Sequence, residues 1–148
     1  MSPVVLQRAW AAELDTATLY RLLKLRVDVF VVEQECAYPE LDGLDLLPTT
    51  RHLWIDEHGE VVATLRVLEE HEDGVTSFRL GRVCTAVPAR GHGYSARLLR
   101  AALAEIGSAT VRLNAQSYLV DMYATFGFGP DGEEFLDDGI PHIPMRRG

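Results

Sequence analysis

The stretch "VPARGHGYSARLLRAAL" (87–103) decides how this chain is read. Gly91 and Gly93 flank His92, and the residues beyond them read as an amphipathic helix reaching about residue 106. Three explanations compete for the glycines. They shape a helix start and nothing more; or residues 91–96, Gly-His-Gly-Tyr-Ser-Ala, are the dinucleotide fingerprint G-x-G-x-x-G/A that they match literally; or they form a pyrophosphate cradle. That fingerprint belongs to a tight first strand–helix turn, with an acidic residue about 20 positions on to hold the ribose. Here the turn comes late, and the next strand-like run, "TVRLNA" (110–115), ends without an acid. In a cradle, successive N–H groups from Gly91 through His92, Gly93 and Tyr94 to Ser95 point at an anion near the positive end of the helix. Glycine permits close backbone approach, and Arg90 adds a cation at the entrance.

Outward from this turn, the pattern predicts a mixed sheet. "VVLQRAW" (4–10) reads as a strand and "LDTATLYRLLKLRVDVFVVEQ" (14–34) as a helix. Asp15 is its N-cap, and Leu19, Leu22, Leu23, Val27, Phe30 and Val31 recur at helical spacing. A polar loop (35–50) with Pro39, Asp42-Gly43 and Pro48 leads into three strands, 51–57, 60–70 and 75–87. His58-Gly59 joins the first two as a two-residue hairpin, and "HEDG" (71–74) turns the chain into the third. A strand (110–115), a helix (117–126) stopped by Gly127, and two short strands joined at Asp138-Gly139 complete the order. Hairpins first and a strand–helix–strand unit later mean an α/β (α+β) fold, a mostly antiparallel sheet flanked by helices.

The 148 residues fit one domain, 1–148, and the net charge of −8 argues against a nucleic-acid partner. Two cysteines without a CxxC favour neither a disulfide framework nor a zinc site, and no metal is indicated. No apolar run approaches the roughly 20 residues that span a bilayer, and the start lacks a signal-peptide layout. The expectation is a soluble cytoplasmic protein without membrane partners.

The residues also carry a family likeness. "RVCTAVPARGHGYSARLL" resembles motif A of the GNAT acetyltransferases, R/Q-x-x-G-x-G/A, on Arg90, Gly93 and Ser95, with Ser95 standing where Gly or Ala is usual. About thirty residues on, "NAQSYLVDMYATFGF" resembles motif B, ending in Tyr123, Gly127 and Phe128. "RVDVFVVEQECAYPELDGLD" and "DGIPHIPM" extend the resemblance to the ElaA-like branch and to nearly the whole chain. The resemblance implies a GNAT fold, acetyl-CoA as co-substrate and an amine acceptor, most simply a small molecule, acetylated in a ternary complex; a homodimer stays open.

It also distributes roles. Val83, Cys84 and Thr85 would pair with the pantetheine as an added strand, in a slot opened where this strand parts from the next. Asn114 and Gln116 would contact the donor, with loop or helix capping as the plainer alternative. An N–H near Cys84 or Thr85 would meet the thioester oxygen. Tyr123 matches the position of the proton donor to the leaving thiolate, against a merely structural tyrosine. Cys84 reads as a small apolar packer, not a nucleophile. The acceptor needs a base, for which Glu33, His142 and His52 are candidates in that order. Arg26 lies on the apolar helix face and needs a partner, with Asp42 and Asp45 conceivable; the acidic loop of Glu40, Asp42 and Asp45 either attracts a cationic acceptor or is simply solvated. Two rivals accompany this reading: a non-catalytic acyl-CoA-binding module and, through the literal fingerprint, a nucleotide-dependent oxidoreductase.

Overall fold

The computed structural model describes residues 3–148. Its strands are β1 (Val4–Trp10), β2 (Arg51–Glu57), β3 (Glu60–Glu72), β4 (Val75–Thr85), β5 (Val111–Gln116), β6 (Gly129–Pro130), β7 (Phe135–Asp137) and β8 (Ile140–Arg147). They form one sheet in the order β1-β2-β3-β4-β5-β8-β6, with β7 also on β8. Every pairing is antiparallel except β4 with β5. This is the expected mixed sheet, and it is not the doubly wound parallel sheet that a dinucleotide turn requires.

Local chemistry explains the antiparallel half. The hairpins β2–β3, β3–β4 and β7–β8 turn on His58-Gly59, Asp73-Gly74 and Asp138-Gly139, and all six residues have positive φ. That is the two-residue turn whose twist matches right-handed strands, and Asp-Gly supplies it readily.

Alternation then sorts the side chains to two faces. Leu53, Ile55, Leu65, Val67, Leu80, Val111 and Leu113 face α2 (Tyr94–Ile106) and α3 (Val120–Ala124). Leu98 and Leu99 of α2 are wholly buried there, each contributing roughly 1.5–3 kcal/mol. On the opposite face, α1 (Thr16–Val27) lays Leu22 against Ala9 and Trp54, and Leu25 against Cys84.

Asp15 caps α1, accepting from the Thr18 N–H at 2.7 Å. Two expectations need correction. The buried stripe is Leu22, Leu25, Arg26 and Val29, one register away from Leu23 and Val27. The helix also does not run evenly to residue 34: Asp28–Glu33 widens into a π turn, with Gln34 N–H donating to Val29 O at 3.2 Å and Cys36 N–H to Val31 O at 3.1 Å. Such wide turns cluster at functional sites, and this one delivers Glu33 and Gln34 to the edge of a cleft.

Candidate active site

β4 and β5 pair only at Phe78↔Val111 and Arg79↔Arg112. Beyond those positions they part, and the gap opens into a cleft of about 670 Å³. Val83, Cys84 and Thr85 line one wall, and Asn114 and Gln116 the other. The splay is therefore where the family resemblance implied it, before the glycine turn. β4 also bulges there: Thr64 faces Cys84 but Arg66 faces Gly81, so Arg82 and Val83 together oppose Leu65. Arg82 holds φ 54°, a strained value for a residue with a Cβ. Its side chain is anchored to compensate, with Nε donating to Glu40 at 2.8 Å and the guanidinium 5.8 Å from the Tyr38 ring.

The cradle stands at the mouth of the splay. Gly93 caps α2 in the left-handed conformation (φ 72°), and among the described residues no side chain hydrogen-bonds the helix start. The first intrahelical bond is Arg97 N–H to Gly93 O at 3.0 Å, which leaves the preceding amides of the first turn without helical partners. A Cβ built on Gly91 or Gly93 meets nothing within 4 Å, so both glycines border open space. Uncapped amides, left-handed glycines and an adjoining slot fit a diphosphate-bearing thioester.

The neighbouring side chains have tasks the sequence did not reveal. Ser95 Oγ lies 2.9 Å from Thr85 Oγ1, tying the helix start to the end of β4. Tyr94 is buried, with its hydroxyl donating to Glu57 at 2.5 Å and its ring stacked on His92, so it offers the cleft mainly its backbone. Arg90 donates from Nε to the Thr85 carbonyl at 2.9 Å and forks onto both Glu33 oxygens at 2.7 Å. That fork holds the Glu33 carboxyl below its usual range and makes it a weak base.

Tyr123 lines the cleft from α3 and is 6% exposed. Burial, with Tyr118 nearby, pushes its phenol up to about 12, so it stays neutral and able to donate. Cys84 also lines the slot, but burial raises its thiol to about 12, which leaves essentially no thiolate at neutral pH. Gln116 exchanges amide hydrogen bonds with Gln34 at 3.3 and 3.4 Å. His142 borders the cleft from β8. Its Nδ1 donates to Ile140 O at 2.8 Å, which fixes the tautomer and leaves the lone pair on Nε2. The ring stacks on Phe135.

His52 falls out of the site. It is 1% exposed and bonds through Nε2 to Asp45 O at 2.9 Å, and burial lowers its pKa. The acidic loop is corrected too: Glu40 and Asp45 are buried, not solvated. Arg26 binds Glu40 at 2.7 Å and Asp45 at 2.5 Å, while Asp42 goes to Arg66 at 2.9 Å and Arg82 at 3.3 Å. This lattice, buried at Arg26, Glu40 and Asp45, fastens the loop beneath the bulge.

A wedge between two parting strands, closed by an uncapped glycine turn, defines a CoA-dependent acyltransferase architecture. Residues 26–147 match the family model described as an acetyltransferase (GNAT) domain, and the chain belongs to that family, among its ElaA-like members. The UPF0039 protein Rv2851c of Mycobacterium tuberculosis is 62% identical over 143 residues, covering 96% of this chain and 92% of that protein. The crystal structure of Escherichia coli ElaA superposes with a TM-score of 0.91 at 36% identity, covering 99% of this chain and 100% of its own. An acyl-CoA N-acyltransferase from Pseudomonas aeruginosa gives 0.90 at 39% identity, with the same coverage of 99% and 100%.

Proposed function

We propose that this protein is an N-acetyltransferase that transfers an acetyl group from acetyl-CoA directly to the amine of a small molecule within one ternary complex. One observation carries the reading: the uncapped start of α2 opens onto the slot where β4 and β5 separate, with Tyr123 lining that slot. Acetyl-CoA supplies a thioester that a neutral amine attacks, yielding an N-acetyl amine and the free CoA thiol.

The chain's own groups divide the work. Amides from Gly91 to Ser95 bind the diphosphate, and the edge of Val83–Thr85 takes the pantetheine as an added strand. Main-chain N–H groups beside the bulge oppose the charge that grows on the thioester oxygen. Tyr123 donates to the departing thiolate. His142 takes the amine proton, because its Nε2 lone pair is free while Glu33 is committed to Arg90. Glu33 instead keeps Arg90 aligned beside the cradle. Cys84 packs, and no acetyl-cysteine forms. A cytoplasmic setting suits the two free thiols, Cys36 and Cys84.

Acetyl-CoA should raise Tm in a dose-dependent way, and NADH and NADPH should not. A panel of amines should then accelerate release of CoA thiol. Stabilisation by acetyl-CoA with no response to any amine would replace the enzyme with a binding module. Stabilisation by a dinucleotide alone would overturn the donor assignment.

A further inference from the structure

The sheet face on the α1 side is covered by α1 over β3 and the end of β4, but it runs on across β5 and β8. There the register places three arginines side by side: Arg79 of β4 faces Arg112 of β5, and Arg112 faces Arg146 of β8. All three point to this face, because their neighbours Leu80, Val111, Leu113 and Met145 occupy the opposite core. Adjacent strands lie about 4.8 Å apart, so the row spans roughly 10 Å.

Like charges directly opposite each other in a sheet are destabilising, and a chain of net charge −8 has acids in excess to interleave. Elsewhere it does so: Arg26 and Arg66 each have two carboxylates within 3.2 Å. The row is served more thinly. Arg79 has Glu70 at 3.2 Å, and Arg112 has Asp131 only at 3.9 Å besides donating to Ser77 Oγ at 3.3 Å. Arg146 is exposed and, among the described residues, finds no side-chain carboxylate; its Nε donates to Gly148 O at 2.9 Å.

The row is continuous with the cleft. Arg79 and Asn114 line it, and on β8 the same face carries His142, Pro144 and Arg146 in succession. His142 and Arg146 are four residues apart along one strand, about 13 Å at 3.3 Å per residue. Resting on the transferase reading above, the geometry points to an acceptor that is an extended amine with an anionic group at its far end. The nitrogen meets His142, and the carboxylate or phosphate is held by Arg79, Arg112 and Arg146. Side-chain reach brings the two ends of such a molecule to about 10 Å apart.

The experiment compares ω-aminooctanoate with ω-aminooctanol in the thiol-release assay, and extends both to shorter and longer chains. KM for the carboxylate should be about tenfold lower than for the alcohol, in keeping with charge-assisted hydrogen bonds. The gap should narrow with added salt and be largest at one chain length. Arg112→Gln and Arg146→Gln should each raise KM for the carboxylate about tenfold while leaving kcat and the alcohol's KM unchanged. Equal KM values for carboxylate and alcohol, or variants that weaken both alike, would overturn the anionic acceptor and leave the transferase standing. Calorimetry supplies a readout without turnover: ω-aminooctanoate should bind the CoA-saturated protein and fail to bind the Arg112→Gln/Arg146→Gln double variant. Binding without any thiol release would retain the anion site and refute the transferase. No binding to the unaltered protein would refute the site.

Discussion

Arg26→Met removes a guanidinium whose side chain is 2% exposed while filling most of its volume. Three hydrogen bonds to carboxylates go with it: Nε to Glu40 at 2.7 Å, and Nη1 and Nη2 to Asp45 at 2.5 and 3.2 Å. Removing one partner of a buried ion pair costs about 3–5 kcal/mol, because the other charge is left uncompensated. Here Glu40 keeps Arg82 at 2.8 Å and Asp45 keeps Arg66 at 3.2 Å, so the loss belongs at the low end, about 3 kcal/mol. For a chain of this length that lowers Tm by about 6–12 °C. Urea titration followed by circular dichroism should show a lower midpoint with an unchanged slope.

The same variant has a pH signature. Burial opposes ionisation of Asp45, but the Arg26 and Arg66 guanidinia outweigh it and hold the carboxyl below 3.8. For Asp42, burial is likewise outweighed, by Arg66, the Leu44 N–H and Arg82, to about 2. A carboxyl depressed in the folded state stabilises fully above its unfolded pKa and loses that contribution as pH falls. Unaltered protein therefore loses stability between about pH 4 and pH 2. Arg26→Met has less of it to lose, so the two stability curves converge on acidification. Asp45→Asn added to Arg26→Met should return part of the loss. A cost under about 1 kcal/mol at pH 7, or a gap that widens in acid, refutes this account of the lattice.

Tyr123→Phe should slow thiol release about a hundredfold or more with donor affinity within twofold; an unchanged rate in the amine panel removes the phenol from the mechanism. His142→Gln should slow thiol release about a hundredfold or more with donor affinity unchanged, and an unaltered rate would return the base to another group. Gly93→Val places a β-branched side chain at φ 72° beside the cradle; calorimetry should show acetyl-CoA binding weakened at least tenfold, and tight binding would sink the cradle. Cys84→Ala should keep most of the activity, whereas complete loss in a folded variant would revive the covalent route.

Local encoding made part of the molecule legible in the sequence. His58-Gly59 and Asp138-Gly139 announced their hairpins, Asp15 its cap, and residues 90–95 the turn at which the cleft opens. The π turn was invisible, because one widened step leaves the apolar spacing of 14–34 nearly intact; it shows only in bonds such as Gln34 N–H to Val29 O. Partnerships across distance were equally hidden. Glu33 meets Arg90 57 positions away and Glu40 meets Arg82 42 away, and no periodicity records such pairs. The isolated position of Arg26 did raise the right question, since a charged group among apolar neighbours must be satisfied somewhere, whereas His52 reads as a candidate base. The answer lay in a loop that reads as solvated because its acids sit next to Pro and Gly. The row of arginines was unreadable for a further reason: Arg79, Arg112 and Arg146 belong to three strands and become neighbours only through register.

The two paired positions between β4 and β5 carry a mechanical consequence. One slab of sheet, β1 to β4, is stitched to another, β5 to β8, along a seam only two residue pairs long. A molecule laid in that seam with hydrogen bonds to either bank acts as a suture, so occupancy should make the two slabs melt as one body and suppress amide exchange on both sides at once.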